Sequence, residues 1–162
     1  MTETVEVLVL GIGNPLWGDE GFGLEALRAI EAAWDPVPGV VLMDGGTQGL
    51  YLLPHVQAAR RLLVLDAVDF GLDPGTVLQL RGDDVPRLMG ARRLSLHQTT
   101  FQDVLAAAEL LGSVPELALV GVQCRTLDDF GGPLSPEVAA AIPGAVRAAM
   151  AVLREWGVPV SA

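Results

Sequence analysis

Short apolar runs closed by glycine or aspartate alternate along the chain with stretches whose apolar residues recur every three to four positions. That alternation is the sequence pattern of a mostly parallel sheet with helical crossovers. Residues 5–11 (VEVLVLG) predict a first strand. A helix is expected over 19–34, with Leu24, Leu27, Ile30 and Trp34 on one face. Residues 40–44 (VVLMD) and 62–66 (LLVLD) predict a second and a third strand, joined by a helix over 48–59 that Pro54 disturbs. A fourth strand, at a sheet edge, is predicted over 76–80. Residues 99–111 predict a helix with a Thr99/Gln102 capping box and Gly112 as its stop. The last strand is 116–123 (ELALVGVQ). A final helix opens at Ser135-Pro136-Glu137, is kinked or broken at Pro143 and ends near Gly157. The expected fold is one α/β domain, a twisted, mostly parallel sheet of about five strands with helices on both faces.

In such sheets ligands bind beyond the carboxyl ends of the strands. Asn14 to Glu20, Asp44 to Thr47 and Asp66 to Asp69 fall there. Carboxylates end or follow all three strands. Acidic groups converging on one crevice repel each other unless they are protonated or share a cation. The crevice calls for a metal or a basic ligand.

Composition narrows the partners. A chain of 162 residues fits one domain, and 51% hydrophobic residues suffice for a buried core. No uninterrupted apolar run approaches the roughly 18 residues of a spanning helix, and no basic region precedes the first apolar stretch. Neither a membrane nor a signal peptide is expected. The single cysteine, Cys124, forms no internal disulfide and suits a reducing, cytoplasmic compartment. A net charge of −10 repels phosphate backbones, so nucleic acid is a poor partner. The chain is expected to be a monomer.

Several motifs divide between ordinary and functional readings. Gly11 and Gly13 begin a dinucleotide fingerprint, but its third position is Leu16, and Asp19 and Glu20 put negative charge where a pyrophosphate would sit. Asp19 reads as the helix N-cap; Glu20, at the crevice mouth, is the better site candidate. Asp44-Gly45-Gly46-Thr47 is a sharp turn with amides open to a ligand, although aspartate and glycine are ordinary turn residues. Asp66, ending a very apolar strand, needs a partner, which a neighbouring loop or a cation can supply. His55 reads as a surface residue. His97 is expected in a loop just ahead of the helix at Thr99. Two carboxylates and one imidazole make a three-donor set for a borderline divalent ion, zinc and nickel alike. Cys124 reads as a small buried hydrophobe. No serine stands in a nucleophile elbow.

Taken in order, VLVLGIGNPLWGDEGFG, MDGGTQGLYLL, LLVLDAVDFGLDPGTV, SLHQTTFQDVLAAAELLG and LALVGVQ resemble the [NiFe]-hydrogenase maturation endopeptidases, and LDAVDFG and LDDFGG the branch serving uptake-type hydrogenases. The resemblance implies an enzyme that removes a short C-terminal extension from the precursor of the hydrogenase large subunit after nickel insertion. It implies that Glu20, Asp66 and His97 engage nickel presented by that substrate, with zinc or cadmium able to stand in for nickel in a crystal. Asp44, Gly45, Gly46 and Thr47 are the expected substrate contacts. The resemblance assigns no general base. Three rival readings are a nucleotide-binding regulatory module, a chaperone that holds the precursor uncut, and a peptidyl-tRNA hydrolase suggested by GIGNP alone; the acidic charge opposes the last.

Overall fold

The computed structural model describes residues 4–46, 48–91, 96–125 and 131–160, with backbone alone for 89–91 and 96–100. Five strands form one sheet: β1 (Val5–Ile12), β2 (Val40–Gly46), β3 (Ala59–Val68), β4 (Val77–Arg81) and β5 (Glu116–Gln123), in the spatial order β2-β1-β3-β5-β4. All neighbours are parallel except β4, which runs antiparallel to β5 at one edge. The sheet therefore matches the expected architecture, including the edge position of the fourth strand.

Alternation sorts the strand residues between two cores. Val7, Val9, Leu63, Leu65, Ala118 and Val120 face α1 (Phe22–Ala33) and α5 (Pro136–Glu155). Leu8, Leu10, Leu62, Val64, Leu117 and Leu119 share the opposite core with α2 (Leu53–Ala58), α3 (Asp84–Ala91) and α4 (Leu96–Leu110). Both faces of the central strands are covered, which is why β1, β3 and β5 read as near-continuous apolar runs. By length and composition α5 could cross a membrane, but Val138, Ala145, Ala149, Val152 and Leu153 are buried in the domain core. It passes Pro143 without a break.

Several boundaries differ from expectation. The first helix begins at Phe22, behind a 3-10 turn over Gly18–Gly21, so Asp19 is not its N-cap. The segment after β2 forms a 3-10 turn, Gly49–Leu52, before the short α2. β3 extends to Val68 because β5 keeps pairing with it as far as Val68↔Gln123; Asp66 lies inside the strand and does not end it. β2 likewise continues through Gly46, past a bulge against β1, so Asp44, Gly45 and Gly46 belong to a strand end and not to a free turn. α4 starts at Leu96, which places His97 in its first turn and Thr99 inside the helix. The helix α3 was not expected from the sequence: Pro86 and Gly90 obscure it, while Val85 anchors it in the core.

Candidate active site at the carboxyl edge of the sheet

The approach of α1 to the strand ends sets up the site, and glycines permit it. A Cβ on Gly23 would lie 2.3 Å from the Ile12 carbonyl oxygen and 2.6 Å from that of Leu65. One on Gly11 would lie 2.6 Å from the Gly23 carbonyl. Gly13, at φ +130°, would put its Cβ 2.0 Å from the carbonyl oxygen of Glu20. The glycines of this segment let backbone pack on backbone. The consequence is positional: the Gly18–Gly21 turn, carrying Glu20, packs against β3, which carries Asp66, and against Gly13 just past β1.

Glu20 is 5% exposed and Asp66 is fully buried. Asp66 shares the strand face of Leu62, Val64 and Val68, which α4 covers, and opposite it in β5 stands Gly121. Two buried carboxylates on adjoining elements at the ligand-binding edge are an unusual concentration of negative charge, since such groups require hydrogen-bond or cationic compensation. His97 belongs to the helix on the same face as Asp66, but its side chain lies outside the described residues. Among the described residues, no three His, Cys, Asp or Glu side chains form a metal site. The donor chemistry of Glu20, Asp66 and His97 fits a borderline divalent ion: two carboxylates and an imidazole, with no thiolate.

Asp44 is exposed and accepts a hydrogen bond from Gly46 N at 2.9 Å, closing an Asx turn. Gly45 is packed against Leu10 and the Gly11 carbonyl, and Gly46 holds φ +48° and accepts from Gly13 N at 3.2 Å. These residues therefore brace the loop after β1, and Asp44 remains accessible. Thr47 lies outside the described residues. His55 is exposed, as expected, and Cys124 is buried in the α1–α5 core.

Two polar residues matter more than the sequence suggested. Asp19 is fully buried and accepts from Arg125 N at 2.7 Å, Ser135 N at 2.7 Å and Ser135 Oγ at 3.0 Å. It ties the segments following β5 and preceding α5 to the turn that carries Glu20. Gln123, 3% exposed, accepts from Phe70 N at 2.8 Å and Leu72 N at 3.3 Å, and donates to Asp69 Oδ1 at 3.2 Å. It pins the loop that leaves β3. The sequence signal for Gln123 was present: a polar side chain closing the apolar run Leu117–Val122. Asp19 had none that separated it from a helix cap.

Residues 24–152 match the family model for hydrogenase maturation proteases. The chain is 52% identical over 157 residues to the hydrogenase expression/formation protein HupD of Rhizobium leguminosarum bv. viciae, covering 96% of this chain and 78% of that one. It is 56% identical over 153 residues to HupM of Azotobacter chroococcum mcd 1, covering 94% and 73%. Its fold superposes on the hydrogenase maturating endopeptidase HybD from E. coli with a TM-score of 0.89 at 37% identity, covering 96% of each chain. Glycine-shaped strand ends, buried carboxylates at the ligand edge and relatives over nearly the whole length lead to one assignment: the chain belongs to the hydrogenase maturation proteases, a family of hydrolytic endopeptidases.

Proposed function

We propose that this protein removes the C-terminal extension from the large-subunit precursor of an uptake-type [NiFe] hydrogenase, after nickel has been inserted. The observation that carries the reading is the burial of Glu20 and Asp66 at the ligand edge of a chain that belongs to this protease family. Glu20, Asp66 and His97 engage the nickel ion that the precursor presents. Held there, the ion would dock the substrate or would also supply Lewis acidity at the scissile carbonyl. Two carboxylates and one imidazole, without a thiolate, form a weak half-site for nickel. Precursor ligands complete the coordination, so nickel itself becomes the recognition element between two half-sites.

Glu20 rides on a turn locked by Asp19 and the glycine contacts, and Asp66 on a central strand; both donors are thus held by rigid elements. The exposed Asp44 lies at the same carboxyl edge. The test compares nickel-loaded with nickel-free precursor under identical conditions, read by intact mass. Only the loaded form should lose its extension. A loaded precursor that binds but keeps its full mass makes the protein a chaperone, and equal processing of both forms removes the coupling to nickel.

A further inference from the structure

Among the described residues, buried side chains account for most of the large hydrophobic residues, and the exposed ones gather in two places. Leu110, Leu111 and Val114 lie between α4 and β5, at the amino edge of the sheet. Leu16 (57% exposed), Trp17 (37%), Leu50 (58%), Tyr51 (83%) and Leu72 (44%) lie at the carboxyl edge, on the loops after β1, β2 and β3. Those strands are immediate neighbours in the order β2-β1-β3, so the three loops emerge side by side around Glu20 and Asp66. Neighbouring strands are about 4.8 Å apart. The loops are consequently within reach of one extended peptide.

The loops that carry these side chains are held by hydrogen bonds. Leu16 N donates to Asn14 Oδ1 at 2.9 Å, and Leu16 O accepts from Gly131 N at 2.6 Å. Leu72 N donates to the buried Gln123 side chain. Tyr51 N donates to Gln48 O at 3.3 Å, within the 3-10 turn that also packs on α4. An apolar side chain held out to solvent by a fixed backbone loses little entropy on binding, which is how preorganised contact surfaces gain affinity. Exposed apolar groups grouped around a polar site mark an interaction surface. Asp44 and Asp73, both exposed, and the half-buried Asp69 lie among these side chains and repel acidic ligands.

We infer that Leu16, Leu50, Tyr51 and Leu72 form a preorganised apolar rim that grips an extended segment of the precursor on either side of the scissile bond. The occupant is a polypeptide stretch with apolar side chains and no carboxylates next to the cut. The inference rests on the proposed protease reading and adds to it: nickel engages the centre, while the rim holds the chain.

The test uses nickel-loaded precursor, with affinity read by biolayer interferometry and cleavage by intact mass in the same samples. The double variant Leu50→Ser/Tyr51→Ser and the single variant Leu72→Ser should each weaken binding by about tenfold or more, as loss of a central aromatic or aliphatic anchor does. They should raise KM while leaving kcat within about twofold. Leu110→Ser, at the opposite edge, should change neither value. Rim variants that bind like the unaltered protein overturn the inference, as does an equal loss in Leu110→Ser. Rim-dependent binding without cleavage by any form upholds the rim and overturns the protease reading instead.

Discussion

The two edges of the sheet handle charge differently. At the amino edge, ionic side chains stay in water and meet as pairs: Arg61 with Glu116 at 2.9 Å, Arg60 with Glu6 at 3.5 Å and Arg81 with Glu155 at 3.2 Å. Arg61 also donates to the Trp156 carbonyl at 2.6 Å and lies over its ring, joining the end of α5 to the sheet. At the carboxyl edge, Asp19, Glu20, Asp66 and Gln123 are buried. Exposed pairs are screened and contribute little, whereas buried carboxylates must be compensated by directed partners. Tolerance belongs to the first edge and precision to the second, where the proposed site sits.

The widest gap between the edges should appear in activity. Asp66→Asn keeps the shape of the side chain but removes the charge, and is expected to lower processing of nickel-loaded precursor by at least about 100-fold. Its thermal midpoint should stay the same or rise slightly, because a neutral amide costs less to bury than a carboxylate. A variant that unfolds would mark Asp66 as a structural group and dissolve the contrast.

The next effect is on stability. Gly13→Ala forces a Cβ to within 2.0 Å of the Glu20 carbonyl at φ +130°, where an L side chain is already strained. Strain and overpacking together are expected to cost more than about 3 kcal/mol, or roughly 6–12 °C in Tm. Calorimetry would measure the loss. A shift below about 2 °C would mean that the Glu20 turn moves freely, against the close packing described above.

The smallest effect belongs to the amino edge. Glu116→Gln removes one partner of an ion pair whose side chains are 37% and 56% exposed. Less than about 1 kcal/mol should be lost, with processing unchanged. A larger loss in denaturant unfolding would show that this edge shares the other's sensitivity.

Much of the fold was legible in the chain. Parallel strands buried on both faces leave uninterrupted apolar runs, which made β1, β3 and β5 visible; the shorter runs of β2 and β4 were visible too, as were α1, α4 and α5. Boundaries were less legible, because they depend on partners far away in sequence. β3 runs on past Asp66 because β5 pairs there, and β2 runs on past Asp44 because β1 does. Glu20 and Asp66 stood out as carboxylates beside apolar strands, and both are buried at the shared edge. The Asp44 turn stood out too, yet its glycines serve to brace β1.

Local pattern alone determined the fold class, the strands and the acidic edge, since periodicity and the residues that interrupt it act over a few neighbours. Tertiary structure alone decided that Asp19 binds groups 106 and 116 residues away, and that Gln123 holds the loop after β3 across more than 50 residues. A cap and a long-range anchor use the same carboxylate chemistry. Only packing, by excluding water from Asp19 and bringing the amide groups of Arg125 and Ser135 to it, chooses between them.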